Sequence, residues 1–137
     1  EIDSERVAEI QSGLLVLVGV RPEDSAGNAE ALLDRILGYR VFPDREGRMN
    51  QSVRDQQGGV LLVPQFTLVA DTGQGNRPGF SRAADPATGE ALFKKLVAAV
   101  RQAGLSPATG RFGADMQVSL CNDGPVTISL RVIPELT

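Results

Sequence analysis

The sequence contains no histidine. Imidazole is the commonest general base and metal ligand near neutral pH, so its absence removes Ser-His-Asp and Cys-His catalysis and the usual zinc sites. Chemistry must then rest on carboxylates, hydroxyls, lysine, backbone groups or the substrate itself, and neither a cofactor nor a metal is expected. Cysteine is almost missing as well. Cys121 alone permits no internal disulfide and fits a reducing, cytoplasmic setting. It adjoins an apolar segment and reads as packing. No apolar run approaches bilayer thickness and no signal peptide is visible, so no membrane partner is expected. Positive charge is scarce: 14 Lys and Arg face 17 Asp and Glu, a net −3. That argues against wrapping long nucleic acid, which needs a basic surface, but leaves room to grip one RNA end with local cations. Repeats, linkers and composition breaks are absent too. Residues 1–137 are expected to form one domain with its own core.

What is present is a succession of patterned segments. Val7-Ala8-Glu9-Ile10 reads as the second half of a hairpin. Leu14-Leu15-Val16-Leu17-Val18 is a continuous apolar run suited to a strand buried on both faces. Asp24 or Ser25 can cap a helix with Ala29, Leu32, Leu33, Ile36 and Leu37 as its stripe, and Gly38 as its stop. Val41-Phe42 predicts a short strand and Pro43 to Gly47 a turn, after which a polar connection runs to Gly58-Gly59. Val60 to Val69 has strand composition, but Pro64 cannot donate to a ladder, so the strand is at an edge, bulged or ended there. Asp71 to Arg82 has no period; loops of this length are functional or disordered. Phe80 between Arg77 and Arg82 suits a nucleobase and a phosphate, although a solvated loop explains it equally. Asp85-Pro86 starts a second helix carrying Leu92, Phe93, Leu96, Val97 and Val100, ended by Gly104. Ala108 to Phe112 predicts another short strand. The order suggests an α+β fold with a largely antiparallel or mixed sheet.

The last segments alternate with period two: Met116, Val118 and Leu120 before a turn, and Val126, Ile128, Leu130 and Val132 after it. Two half-buried strands joined at Asn122-Asp123-Gly124-Pro125 are predicted. An ordinary hairpin accounts for that turn. The other reading is that Gly124-Pro125 presents main-chain groups to a ligand.

Taken together, several segments resemble the bacterial D-aminoacyl-tRNA deacylases. They are Gly13 to Val20, Val41-Phe42 with Gly47 to Asn50, Gln65-Phe66-Thr67-Leu68, Arg77-Pro78-Gly79-Phe80-Ser81, Gly113 to Leu120, and Asn122 to Thr127. The resemblance implies a homodimeric α+β fold with mixed or antiparallel, barrel-like sheets, two main helices and active sites at the subunit interface. It implies hydrolysis of the ester joining a D-amino acid to the tRNA 3′-terminal adenosine. It further implies that the Gly124-Pro125 peptide is cis and enters the partner's site, where its two carbonyls hold the substrate's α-amino group. A site that fixes the amino group, ester and sugar and leaves one direction open admits every D side chain and excludes L ones by collision. Achiral glycine escapes such a filter, so glycyl-tRNA is expected to be cleaved.

Family precedent places the chemistry at Gln65, Phe66 and Thr67. Thr67 as nucleophile needs a base, and none adjoins it in sequence. Backbone N–H groups near Phe66 and Thr67 forming an oxyanion hole are preferred, with the adenosine 2′-hydroxyl helping to activate water. Threonine is also simply a good strand residue. Phe80 and Arg77 are candidates for the adenosine end, Asn122 for the substrate-facing turn, and Met116 for a pocket wall or plain core. Two departures stand out. Pro64 and Gly79 occupy positions where the family usually or often has serine, and the family's opening Gln-Arg-Val strand, whose arginine supports the cis turn, has no match here. These departures suggest an alternative, a weakened module that binds the aminoacyl-tRNA end on the same fold.

Overall fold

The computed structural model describes residues 1–134. Two runs of apolar residues form its centre. Strand β1 (Gly13–Val18) and strand β4 (Gly59–Pro64) pair in parallel from Gly13 opposite Gly59 to Val18 opposite Pro64. β5 (Pro107–Thr109) joins the far edge of β4, also parallel, giving the order β1-β4-β5. Parallel neighbours need long crossovers. Helix α1 (Ala26–Gly38) lies within the first crossover, and helix α3 (Pro86–Gln102) within the second. Between α1 and β4 come an antiparallel pair, β2 (Phe42–Pro43) and β3 (Met49–Gln51), and the one-turn helix α2 (Val53–Gln56).

The two main helices start where the sequence predicts. Ser25 caps α1 in a reciprocal box: its hydroxyl accepts the Asn28 N–H at 3.3 Å, and its own N–H donates to Asn28 Oδ1 at 2.8 Å. Asp85 caps α3 by accepting the Thr88 N–H at 3.3 Å, with Pro86 following. The helices pack against each other and onto one face of the sheet. Leu33, Ile36 and Leu37 of α1 and Phe93, Leu96, Val97 and Val100 of α3 form one cluster with Val18, Val60 and Leu62. Val53 of α2 is fully buried in the same cluster.

Four expectations need correcting. The main sheet is parallel, and neither sheet closes, so the architecture is two-layered rather than barrel-like. Continuous apolar runs separated by helical crossovers were the parallel signal. β1 is covered on one face rather than both: Leu14 and Val16 pack on the helix side, while Leu17 is 43% exposed. Phe66–Val69, which has strand composition, is instead a 3-10 turn, while the strand before it ends at Pro64, one of the three outcomes that the proline allowed. Finally, the alternating runs around Asn122 form no ladder among the described residues, and Val7 to Ile10 is no strand. Alternation marks which side chains want cover, but a strand also needs a partner backbone. Among the described residues, the one such pairing is at Glu1 and Gln117, which exchange hydrogen bonds of 2.7 and 2.9 Å.

Candidate active site

The site begins where β4 ends. Pro64 closes the strand, and the Gln65 N–H donates to the Val18 carbonyl at 2.7 Å. The backbone then tightens, with Leu68 N–H donating to Gln65 O at 3.1 Å and Ala70 N–H to Thr67 O at 3.2 Å. A helical turn leaves its first donors without internal acceptors. Here those donors are the N–H groups of Phe66 and Thr67, and no hydrogen bond among the described residues takes up either. The Gln65 side-chain amide donates to Thr67 Oγ1. An amide donor cannot accept a proton, so this contact fixes the Thr67 hydroxyl without activating it as a nucleophile.

The long loop after this turn folds back on it. Asp71 and Gly79 exchange backbone hydrogen bonds of 2.7 and 3.0 Å, pinching off the intervening residues. The Asp71 carboxylate also accepts the Gly73 N–H at 3.0 Å and lies 3.7 Å from Arg82 Nε. Phe80 is thereby returned to Phe66, with ring centroids 5.0 Å apart at 58°. Tilted pairing at this distance is favourable for two aromatics, yet Phe66 remains 59% exposed. Two aromatic faces thus stand open to solvent beside two free N–H donors. Arg77, at the exposed end of the loop, has no ion pair among the described residues, whereas Arg82 is engaged by Asp71.

Behind Phe66 a small cavity of about 30 Å³ is lined by Pro64, Gln65, Phe66, Phe93 and Phe112. Gly89 in α3 makes room for Phe112, whose ring edge would lie 3.2 Å from a Cβ there. A larger cleft of about 170 Å³ lies between α1, α3 and residues 129–132 and reaches the turn after β4 through Val18, Leu68 and Val69.

The Asn122–Thr127 turn is built separately. Asn122 Oδ1 accepts the Val126 N–H at 2.9 Å, and Asn122 Nδ2 donates to Thr127 Oγ1 at 2.9 Å. The Asn122 amide therefore spans the turn and shapes it. Between these anchors the Gly124-Pro125 peptide is cis, with Gly124 at φ +141°, a conformation that favours glycine. Asp123 to Pro125 are exposed. Among the described residues, no hydrogen bond, ion pair or shared pocket joins this turn to the Phe66–Phe80 pair. Met116, half-buried, lies instead next to Gly110 and Pro64.

The structure therefore gathers Gln65, Phe66, Thr67 and Phe80, and keeps Gly124, Pro125 and Asn122 together elsewhere. Sequence reasoning missed Asp71, which locks the loop. Its signal was an Asp two residues before a glycine, an Asx-turn pattern. It also missed Phe112 and Gly89, whose contact joins residues far apart in the chain and has no local signature.

The fold is that of a small two-layer protein of mixed helices and strands, and its candidate site sets main-chain N–H groups beside two exposed aromatic rings. The family model described as D-Tyr-tRNA(Tyr) deacylase matches residues 1–131, and the chain belongs to that family. It is 56% identical to a D-aminoacyl-tRNA deacylase of Alkalilimnicola ehrlichii over 134 residues, 98% of this chain and 89% of the relative. It is 59% identical to a D-aminoacyl-tRNA deacylase of Pseudomonas aeruginosa over 130 residues, 95% of this chain and 90% of the relative. Among solved structures, the c-Myc DNA Unwinding Element Binding Protein superposes with a TM-score of 0.91 at 36% identity, covering 98% of this chain and 91% of that one. A structure described as "a probable eukaryotic D-amino acid tRNA deacylase" superposes with a TM-score of 0.71 at 16% identity, over 82% and 81%, and shares the fold.

Proposed function

We propose that this protein hydrolyses the ester of D-aminoacyl-tRNA, releasing tRNA and the free D-amino acid, as a chirality check on translation. The observation that carries the reading is the Gln65–Thr67 turn, with two unpartnered N–H groups beside the open Phe66–Phe80 pair, in a chain of the deacylase family. In this reading the ester carbonyl oxygen sits on the N–H groups of Phe66 and Thr67. Water attacks the carbonyl carbon, and the developing oxyanion is held by those donors. The bond to the 3′-oxygen of the adenosine then breaks, and that oxygen leaves with a proton. The neighbouring 2′-hydroxyl relays protons, because the chain has no histidine to do so. Phe80 and Phe66 hold the terminal base by stacking, and Arg77 takes a nearby phosphate. The main-chain carbonyls of Gly124 and Pro125 hold the α-amino group, Asn122 keeps that turn in shape, and Met116 lines the pocket.

The separation of the Gly124-Pro125 turn from the Phe66 turn within one chain supports a homodimer in which each copy lends its turn to the other. The exposure of Leu17, Leu68, Leu120 and Ile128 supports it too. The work belongs in the cytoplasm, where tRNA is charged; no described helix is long and apolar enough to cross a membrane. The net charge of −3 disfavours extended duplex binding and suits contact with one RNA terminus.

The test is deacylation of matched D-, L- and glycyl-tRNA. Turnover of the D and glycyl esters with the L ester left intact is expected. Tight binding of all three without turnover favours instead the weakened binding module suggested by Pro64. Thr67→Ala should keep activity within about tenfold of wild type, and loss of all turnover with unchanged substrate affinity would return Thr67 to the role of nucleophile.

A further inference from the structure

We infer that the exposed face of α3 is the track for the RNA strand behind the terminal adenosine, its phosphates held by Lys94, Lys95 and Arg101. The inference rests on the reading of this chain as acting on aminoacyl-tRNA. Charge in this acidic protein is unevenly spread. Residues 77–111 hold six of its 14 cations and only two of its 17 carboxylates, which leaves eight cations to face fifteen carboxylates elsewhere. Two of the six, Arg77 and Arg82, flank Phe80, and three follow on α3. One exposed stripe of that helix reads Ala91, Lys94, Lys95, Ala98, Arg101 and Gln102, the i, i+3, i+4, i+7 spacing of a single face. It contains no carboxylate.

A solvated helix face ordinarily mixes both signs, as α1 does with Glu30, Asp34 and Arg35. Local structure accounts for part of the α3 stripe. Glu90 lies 3.4 Å from Lys94, and Arg101 in the last turn suits the negative end of the helix. Neither accounts for Lys95, which like Arg101 has no ion pair among the described residues. Nor does either account for the alanines between the cations. Small side chains there let a sugar-phosphate backbone come close while the longer cations flank it. Position fits the same partner. Gly89 and Phe93 line the cavity behind Phe66, so α3 starts beside the site and carries its cations away from it, over about 10 Å from Lys94 to Arg101. Three cations neutralise a few phosphates next to a gripped end, which suits a chain too acidic overall to hold a long duplex.

The test compares D-aminoacyl-tRNA with the same D-amino acid esterified to adenosine alone, which keeps the ester and the base and lacks every phosphate. The variant combines Lys94→Gln, Lys95→Gln and Arg101→Gln. Expected on tRNA is a fall in kcat/KM of about tenfold, carried by KM, with a log–log salt dependence shallower by about 2. Turnover of the adenosine ester should stay at the wild-type value, which also shows that the fold and the site are intact. Lys95→Arg with Arg101→Lys should keep wild-type turnover of both substrates, because a phosphate contact needs the charge. An equal fall on both substrates, or no fall on tRNA, overturns the inference. If the wild type leaves both esters intact, the functional reading fails on its own account, and binding of uncharged tRNA decides the track. Weaker binding by the triple variant, with the shallower salt dependence, then upholds it, and equal binding refutes it.

Discussion

The molecule divides into two regions that satisfy their backbones and side chains differently. From Gly13 to Thr109, helices and strands supply one another: every strand has a ladder, α1, α2 and α3 each start on a side-chain cap, and Leu37, Val53, Val60, Leu62 and Val100 are wholly buried. From Gly110 to Pro134 the chain forms no ladder, and Val118, Leu120 and Ile128 stand 39%, 63% and 49% exposed. Both regions carry regular apolar patterns. The first finds its complement within the chain, whereas the second packs Phe112 and Leu130 against the core and leaves Val118, Leu120 and Ile128 open. It is also the segment that carries the Gly124-Pro125 turn. Stability is thus concentrated in the first region, which also carries the Phe66–Phe80 pair, while the second carries the Gly124-Pro125 turn.

The largest effect that would test this contrast is on the core. Leu62→Ala should cost about 2–5 kcal/mol in denaturant unfolding, because the methyl groups it removes leave a void between β4 and the helices. Leu120→Ala should stay within about 0.5 kcal/mol, as for an ordinary surface change. Equal costs would show that the second region is packed after all. Next in size is Leu120→Asp. It is expected to leave the unfolding of the core unchanged while shifting the protein from dimer to monomer by light scattering, with deacylation falling in proportion. A wild-type monomer of full activity would break the comparison outright.

How much could be read from the sequence follows the same division. Elements whose cause is local were legible: Ser25 and Asp85 as caps, the stripes of α1 and α3, the stop at Pro64. The one-turn helix α2 was not, although Ser52 with Asp55 is a capping pair, because four residues carry no period. The parallel order of the sheet was hidden by the final alternating runs, which suggested a hairpin and biased the sheet toward antiparallel. Within the site, Gln65, Phe66 and Thr67 were named as a group, but their 3-10 geometry depends on Pro64 and on the bond to Val18, a partner in a distant strand. The approach of Phe80 to Phe66 depends on the Asp71–Gly79 bridge, a contact that composition cannot announce. Local chemistry reads from sequence; closures across the chain do not.

Smaller effects sharpen the contrast at the helix ends. Ser52 is buried and exchanges two hydrogen bonds with Asp55, at 2.8 and 3.2 Å. Ser52→Ala should cost about 1 kcal/mol, within the range for a lost cap, and hydrogen exchange should quicken around α2 while residues 110–134 are unaffected.

The smallest effect is that of acid. The carboxyls of Asp44, Asp55 and Asp85 are held below their ordinary value, first by the Arg48 N–H, the Ser52 N–H and the hydrogen bond with Thr88, respectively. A carboxylate depressed in the folded state contributes stability that is fully present above its unfolded pKa, about 3.9, and is lost as pH falls through the folded value. These three groups therefore leave stability level from neutral pH down to about 5 and withdraw their contribution below about 4. With no histidine in the chain, no imidazole adds a step near pH 6.5. All three carboxylates serve the first region: a turn between β2 and β3, the start of α2 and the start of α3. Asp85→Asn keeps an acceptor for Thr88 but cannot titrate, so it should flatten the acid limb of the stability curve while leaving the helix cap in place at pH 7. An acid limb of unchanged slope in that variant would mean that the loss at low pH arises outside the α3 cap.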